Sequence, residues 1–151
     1  MASIMIVYAS LTGNTEDIAE RIAEGVRESG CEAVLREVDS CSASDLVQHD
    51  GLLLGAYTWG DGELPDEFLD FAEEWDEIEL EGVKCAVFGS GDTGYAVYCG
   101  AVDIIEAKLR EKGAELVQES LKIEYGPNAE EKEGCRDYGR RFARRCMAAV
   151  S

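Results

Sequence analysis

The chain has 151 residues, 14 of them basic and 32 acidic, for a formal net charge of −18 at pH 7. That length suits one domain over residues 1–151, able to bury roughly 68–70% of the surface its unfolded chain exposes. So acidic a surface repels nucleic-acid phosphates and anionic lipid, which excludes both as partners, and it attracts a basic protein patch.

Short apolar runs alternate with helical patterns. Ile4-Met5-Ile6-Val7-Tyr8 reads as a strand buried on both faces. Strand residues begin near Ser3, so no signal peptide is expected ahead of the fold. Ile18, Ile22 and Val26 recur every four residues, beside Ala19 and Ala23, as in an amphipathic helix ending near Gly30. Ala33–Val38 is expected as a second strand and Leu52–Tyr57 as a third. Asp66–Trp75 reads as a short acidic helix, and Cys85-Ala86-Val87-Phe88 as a fourth strand. Val102, Ile105 and Leu109 mark a helix that stops at Gly113. Glu115–Ile123 is expected as a last strand, kinked near Ser120. On the closing helix Cys135, Tyr138, Phe142 and Cys146 share one face. Five strands alternating with helices predict an α/β fold, a parallel sheet covered by helices on both faces.

No apolar run approaches about 18 residues, so no membrane span is expected. The six cysteines form no Cys-x-x-Cys pair, and zinc or iron–sulfur sites lack their usual spacing. Most sit in apolar stretches as small hydrophobes, and a reducing cytoplasm is the expected compartment.

Ligands of such sheets sit at the carboxyl ends of the strands. The first strand ends in Ser10-Leu11-Thr12-Gly13-Asn14-Thr15 and passes at once into a helix. Three hydroxyls and an amide can reach an anion there, and the helix opens with N–H groups aimed at the same spot. Gly13 allows the backbone to turn tightly. The loop has no lysine and no Gly-x-Gly-x-x-Gly, which excludes a Walker A loop and a dinucleotide fingerprint. A terminal monophosphate held by neutral donors fits. An N-cap alone explains one such residue, not four in six.

The third strand ends in Tyr57-Thr58-Trp59-Gly60-Asp61-Gly62, and the fourth in Ser90-Gly91-Asp92-Thr93-Gly94-Tyr95, running on to Val97, Tyr98 and Cys99. Each loop carries large aromatic residues, and two facing rings make a slot for a flat ring system.

The phosphate loop resembles that of flavodoxins, whose pattern is Ser/Thr-x-Thr-Gly-x-Thr, and the resemblance covers the whole chain. The last strand lacks a long insertion, as in the short-chain branch. The resemblance implies a flavodoxin-like three-layer sandwich with strand order 2-1-3-4-5, binding FMN without a covalent bond. It places Ser10, Leu11, Thr12, Gly13, Asn14 and Thr15 at the phosphate, with Thr58 at phosphate and ribityl. Trp59 would cover the inner ring face and Tyr95 the outer one. Backbone groups of Ser90, Gly91 and Asp92, and of Val97 and Cys99, would bind the pyrimidine edge. Leu11 and Tyr57 depart from the pattern, standing where a polar and a small residue are usual; backbone N–H groups can serve at either position.

Gly60 and Asp61 flank the peptide that would turn over to accept a hydrogen bond from the ring of the neutral semiquinone. Turnover puts Gly60 at φ > 0, which costs glycine little and a β-carbon residue about 1 kcal/mol or more. Residues 61–82 hold eleven acidic side chains and no basic one. One charge about 10 Å from the ring, at an effective dielectric of about 20, shifts an added charge by roughly 1.7 kcal/mol, about 70 mV. The acidic field and the aromatic slot both favour a low-potential donor.

His49 is the only histidine, so no histidine-based triad or metal site is expected. Arg136, Arg140, Arg141, Arg144 and Arg145 cluster on the last helix, as cations near a helix C-terminus and opposite an acidic surface. The leading expectation is a monomeric one-electron carrier with no catalytic residue and no metal. Its partners would be redox proteins with basic patches, such as reductases, cytochromes, and hydrogenase- or oxidoreductase-type enzymes. Two alternatives are an FMN-dependent quinone reductase of the same fold and a flavin-free binding module.

Overall fold

The computed structural model describes residues 2–10, 13–58, 64–91, 99–124 and 127–148. The strands are β1 (Ser3–Ala9), β2 (Glu32–Glu37), β3 (Gly51–Tyr57), β4 (Lys84–Gly91), β5 (Glu115–Leu116) and β6 (Leu121–Glu124). The helices are α1 (Asn14–Glu28), α2 (Asp66–Glu73), α3 (Gly100–Glu111) and α4 (Ala129–Ala148). Every strand pair is parallel, in the order β2-β1-β3-β4-β5, with β6 also pairing with β4.

Sequence pattern explains the layers. β1 is buried from Ile4 to Ala9 because it lies between β2 and β3 with helices on both faces. Its side chains alternate: Ile4, Ile6 and Tyr8 join the core under α1 and α4, while Met5, Val7 and Ala9 join the core under α2 and α3. The first core holds Ile18, Ile22, Leu53, Phe88, Tyr138 and Phe142. The second holds Leu52, Leu54, Phe68, Phe71, Trp75 and Ile105. The edge strand β2 keeps Glu32, Arg36 and Glu37 exposed.

The expected kink in the last strand is a full break. Leu116 ends β5, Leu121 begins β6, and both strands lie beside β4. The gap is closed by α4. The Tyr138 hydroxyl donates to Glu119 O at 2.5 Å, Gln118 Nε2 donates to Tyr138 O at 3.1 Å, and Arg145 reaches Val117 O. The carbonyls of Val117 and Glu119, in the gap, thus gain partners from one helix. The acidic helix also stops earlier than expected: α2 ends at Glu73 and Glu74–Glu77 form a 3-10 turn. The turn seats Trp75 edge-on against Phe68 and Phe71, with centroids 6.1 and 6.0 Å away.

α1 and α4 pack through glycines. A Cβ on Gly25 would strike the Arg136 carbonyl, and one on Gly139 would strike that of Ile22. Arginines then stitch α4 outward, Arg136 to Glu24 at 2.7 Å, Arg140 to Glu28 at 2.7 Å and Arg141 to Glu119 at 2.9 Å. Among the described residues no helix is long and apolar enough to cross a membrane.

Candidate functional site

Because all strands are parallel, their carboxyl ends share one edge of the sheet. β1 turns away to β2 on one side and meets β3 on the other, which makes the crevice above β1 and β3 a switch point. Ser10, Thr58 and Gly91 mark this edge, and α1 and α3 begin there.

Gly13 caps α1 at φ 90°, a left-handed backbone that favours glycine. Its carbonyl accepts the first helical bond from Asp17 N–H at 2.9 Å. Ser10 Oγ bridges back across the loop, accepting from Gly13 N–H at 3.1 Å and Glu16 N–H at 3.4 Å. The N–H groups of Asn14 and Thr15 meet no acceptor among the described residues. They are neutral donors at the positive end of a helix, and they fit a phosphate. The Thr15 side chain is buried and shares a 2.8 Å hydrogen bond with the buried Ser90 hydroxyl. Thr15 therefore locks the first turn of α1 to the end of β4, and its backbone faces the loop task.

Thr58 is fixed twice. Its N–H donates to Ser90 O at 3.3 Å, and its Oγ1 accepts from Ala101 N–H at 3.3 Å. The half-buried Tyr57 packs against the core under α2, and its hydroxyl donates to Glu67 Oε1 at 2.9 Å. Burial first, and then that carboxylate, push the Tyr57 phenol up to about 12. Cys99 caps α3 with φ 52° and is buried. A Cβ on Gly91 would come within 2.9 Å of Cys99 N and of its Sγ. The ends of β3 and β4 and the start of α3 thus form one rigid rim.

The structure brings Ser10, Gly13, Asn14, Thr15, Tyr57, Thr58, Ser90, Gly91 and Cys99 to this edge. Leu11, Thr12, Trp59, Gly60, Asp61, Asp92, Tyr95 and Val97 lie outside the described residues. His49 sits at the opposite end of β1, its Nδ1 2.9 Å from Ser3 Oγ. Among the rim contacts that the sequence did not suggest, the Tyr8 hydroxyl donates to Glu16 Oε2 at 3.0 Å. The signal was present, since Tyr8 is a polar-tipped ring at the end of the run Ile4–Tyr8, with only Ala9 between it and the loop.

Residues 6–139 match the flavodoxin family model. The chain is 47% identical to probable flavodoxin 2 of Bacillus subtilis, over 99% of this chain and all of that protein. It is 41% identical to a flavodoxin of Maridesulfovibrio salexigens, over 87% of this chain and 92% of the relative. The structure of oxidised flavodoxin 1 from Bacillus cereus superposes with a TM-score of 0.90 at 48% identity, covering 95% of this chain and 98% of that one. These matches do not favour a quinone reductase or a flavin-free module. The chain belongs to the flavodoxin family, whose members bind FMN and carry electrons rather than act as enzymes.

Proposed function

We propose that this chain is a monomeric cytoplasmic carrier that holds FMN across the rim just described and exchanges single electrons with basic redox proteins. The observation that carries the reading is the neutral donor set at the start of α1, with Asn14 and Thr15 N–H left for a phosphate. Residues 10–15 would hold the phosphate, and Thr58 the phosphate and ribityl. Trp59 and Tyr95 would cover the two faces of the ring, and backbone groups of Ser90, Gly91, Asp92, Val97 and Cys99 its pyrimidine edge. FMN supplies a ring that takes up and releases electrons one at a time. Trp59 and Tyr95 would shield the ring from water.

The reading of basic partners is supported by α2, which leads away from the rim with Asp66, Asp70 and Glu73 exposed. Among the described residues, Arg136, Arg140 and Arg141 of α4 pair with carboxylates of α1, of α4 itself and of the strand break, not with these. The acidic face is then open to a cationic surface.

Titration of the flavin-free chain with FMN and with riboflavin, followed by quenching of flavin fluorescence, tests the proposal. One FMN per chain and much weaker riboflavin binding are expected. Absence of FMN binding would refute it.

A further inference from the structure

A glutamate at the third position of a helix commonly reaches back to the N–H of its N-cap residue. This chain does so twice with acidic residues. Asp45 Oδ2 accepts Ser42 N–H at 3.1 Å, and Glu131 Oε1 accepts Asn128 N–H at 3.1 Å. Glu16 holds the same position in α1, with Gly13 as N-cap, yet it does not turn back. Its carboxylate accepts the Tyr8 hydroxyl at 3.0 Å instead, and Gly13 N–H goes to Ser10 Oγ.

We propose that Tyr8 is a positioning residue that holds the Glu16 carboxylate out of the phosphate loop, so that the helix start stays open to an external anion. The inference rests on the phosphate-loop reading above. A Glu16 released from Tyr8 is free to turn back on the start of its helix, as Asp45 and Glu131 do on theirs, and there it competes with the phosphate both for the N–H groups of Asn14 and Thr15 and by charge. Tyr8 suits the task because its ring is fixed in the core under α1 and α4, with only 8% of the residue exposed. Its phenol is also held protonated, by burial first and then by Glu16, Glu37 and Glu20 around it, so it remains a donor.

The test uses the full chain freed of flavin, in four forms: wild type, Tyr8→Phe, Glu16→Ala and the double variant. Each is titrated with FMN and with riboflavin, which lacks the phosphate. Tyr8→Phe is expected to weaken FMN binding about five- to tenfold, the size of a competing helix cap, and to leave riboflavin binding unchanged. In the Glu16→Ala background the same change should have no effect on either ligand. Equal weakening of both ligands by Tyr8→Phe would mean a merely structural role and overturn the proposal. So would an FMN loss that persists without Glu16. If wild type itself shows no preference for FMN over riboflavin, the phosphate-loop reading fails, and the proposal with it.

Discussion

A side chain at position 91 has no room, because its first carbon would press on the backbone nitrogen and sulfur of Cys99. Cys99 already sits at φ 52°, so it cannot yield cheaply. Gly91→Ala should therefore weaken FMN and riboflavin alike, on the order of tenfold. That pattern differs from a phosphate-loop defect, which spares riboflavin, and paired titrations separate the two. Tyr57 gives a pH signature. Its pKa is raised from 10.0 to about 12, so the folded state prefers the neutral phenol. The associated stability is complete below pH 10 and is lost as pH rises towards about 12. Tyr57→Phe should flatten that decline in urea-denaturation midpoints measured from pH 9 to 12. The hydroxyl-rich loop was legible in sequence because strand, glycine and helix start are adjacent there. The Thr15–Ser90 bond was not, since its partners are 75 residues apart and only the β1-β3-β4 order brings them together.

Helix contacts carry a different kind of information. The α1–α4 seam depends on Gly25 and Gly139, each of which lets one helix touch the other's backbone. Gly139→Ala is expected to cost about 1–3 kcal/mol through overpacking. The drop should appear in the denaturation midpoint, with the ratio of FMN to riboflavin affinity unchanged. The buried face Cys135, Tyr138, Phe142 and Cys146 could be read from its period, because a helix repeats every 3.6 residues. The break between β5 and β6 could be read only as a kink. What opens it is Tyr138, whose hydroxyl serves Glu119 O from another element. Burial also settles the cysteines. Cys85, Cys135 and Cys146 are pushed up to about 12, chiefly by desolvation. At pH 8 these thiols should resist a thiol reagent until the chain is unfolded, after which all six react.

The molecule as a whole is strongly negative, with a formal charge of −18. Arg136, Arg140 and Arg141 of α4 are committed to neighbouring carboxylates, and exposed pairs of this kind contribute little stability each. The remaining field acts on the ring site and on the approach of a partner. Replacing Asp66, Asp70 and Glu73 by their amides should raise the lower one-electron potential, by less than the roughly 70 mV that one unscreened charge about 10 Å away exerts. Added salt should slow electron transfer to a basic partner. The layout of sheet and helices was legible because both faces of the central strands are apolar. The most direct measurement is spectroelectrochemical titration of the FMN-loaded chain. Two separate one-electron steps are expected, the lower far more negative than for free FMN. A single two-electron step at the potential of free FMN would contradict this.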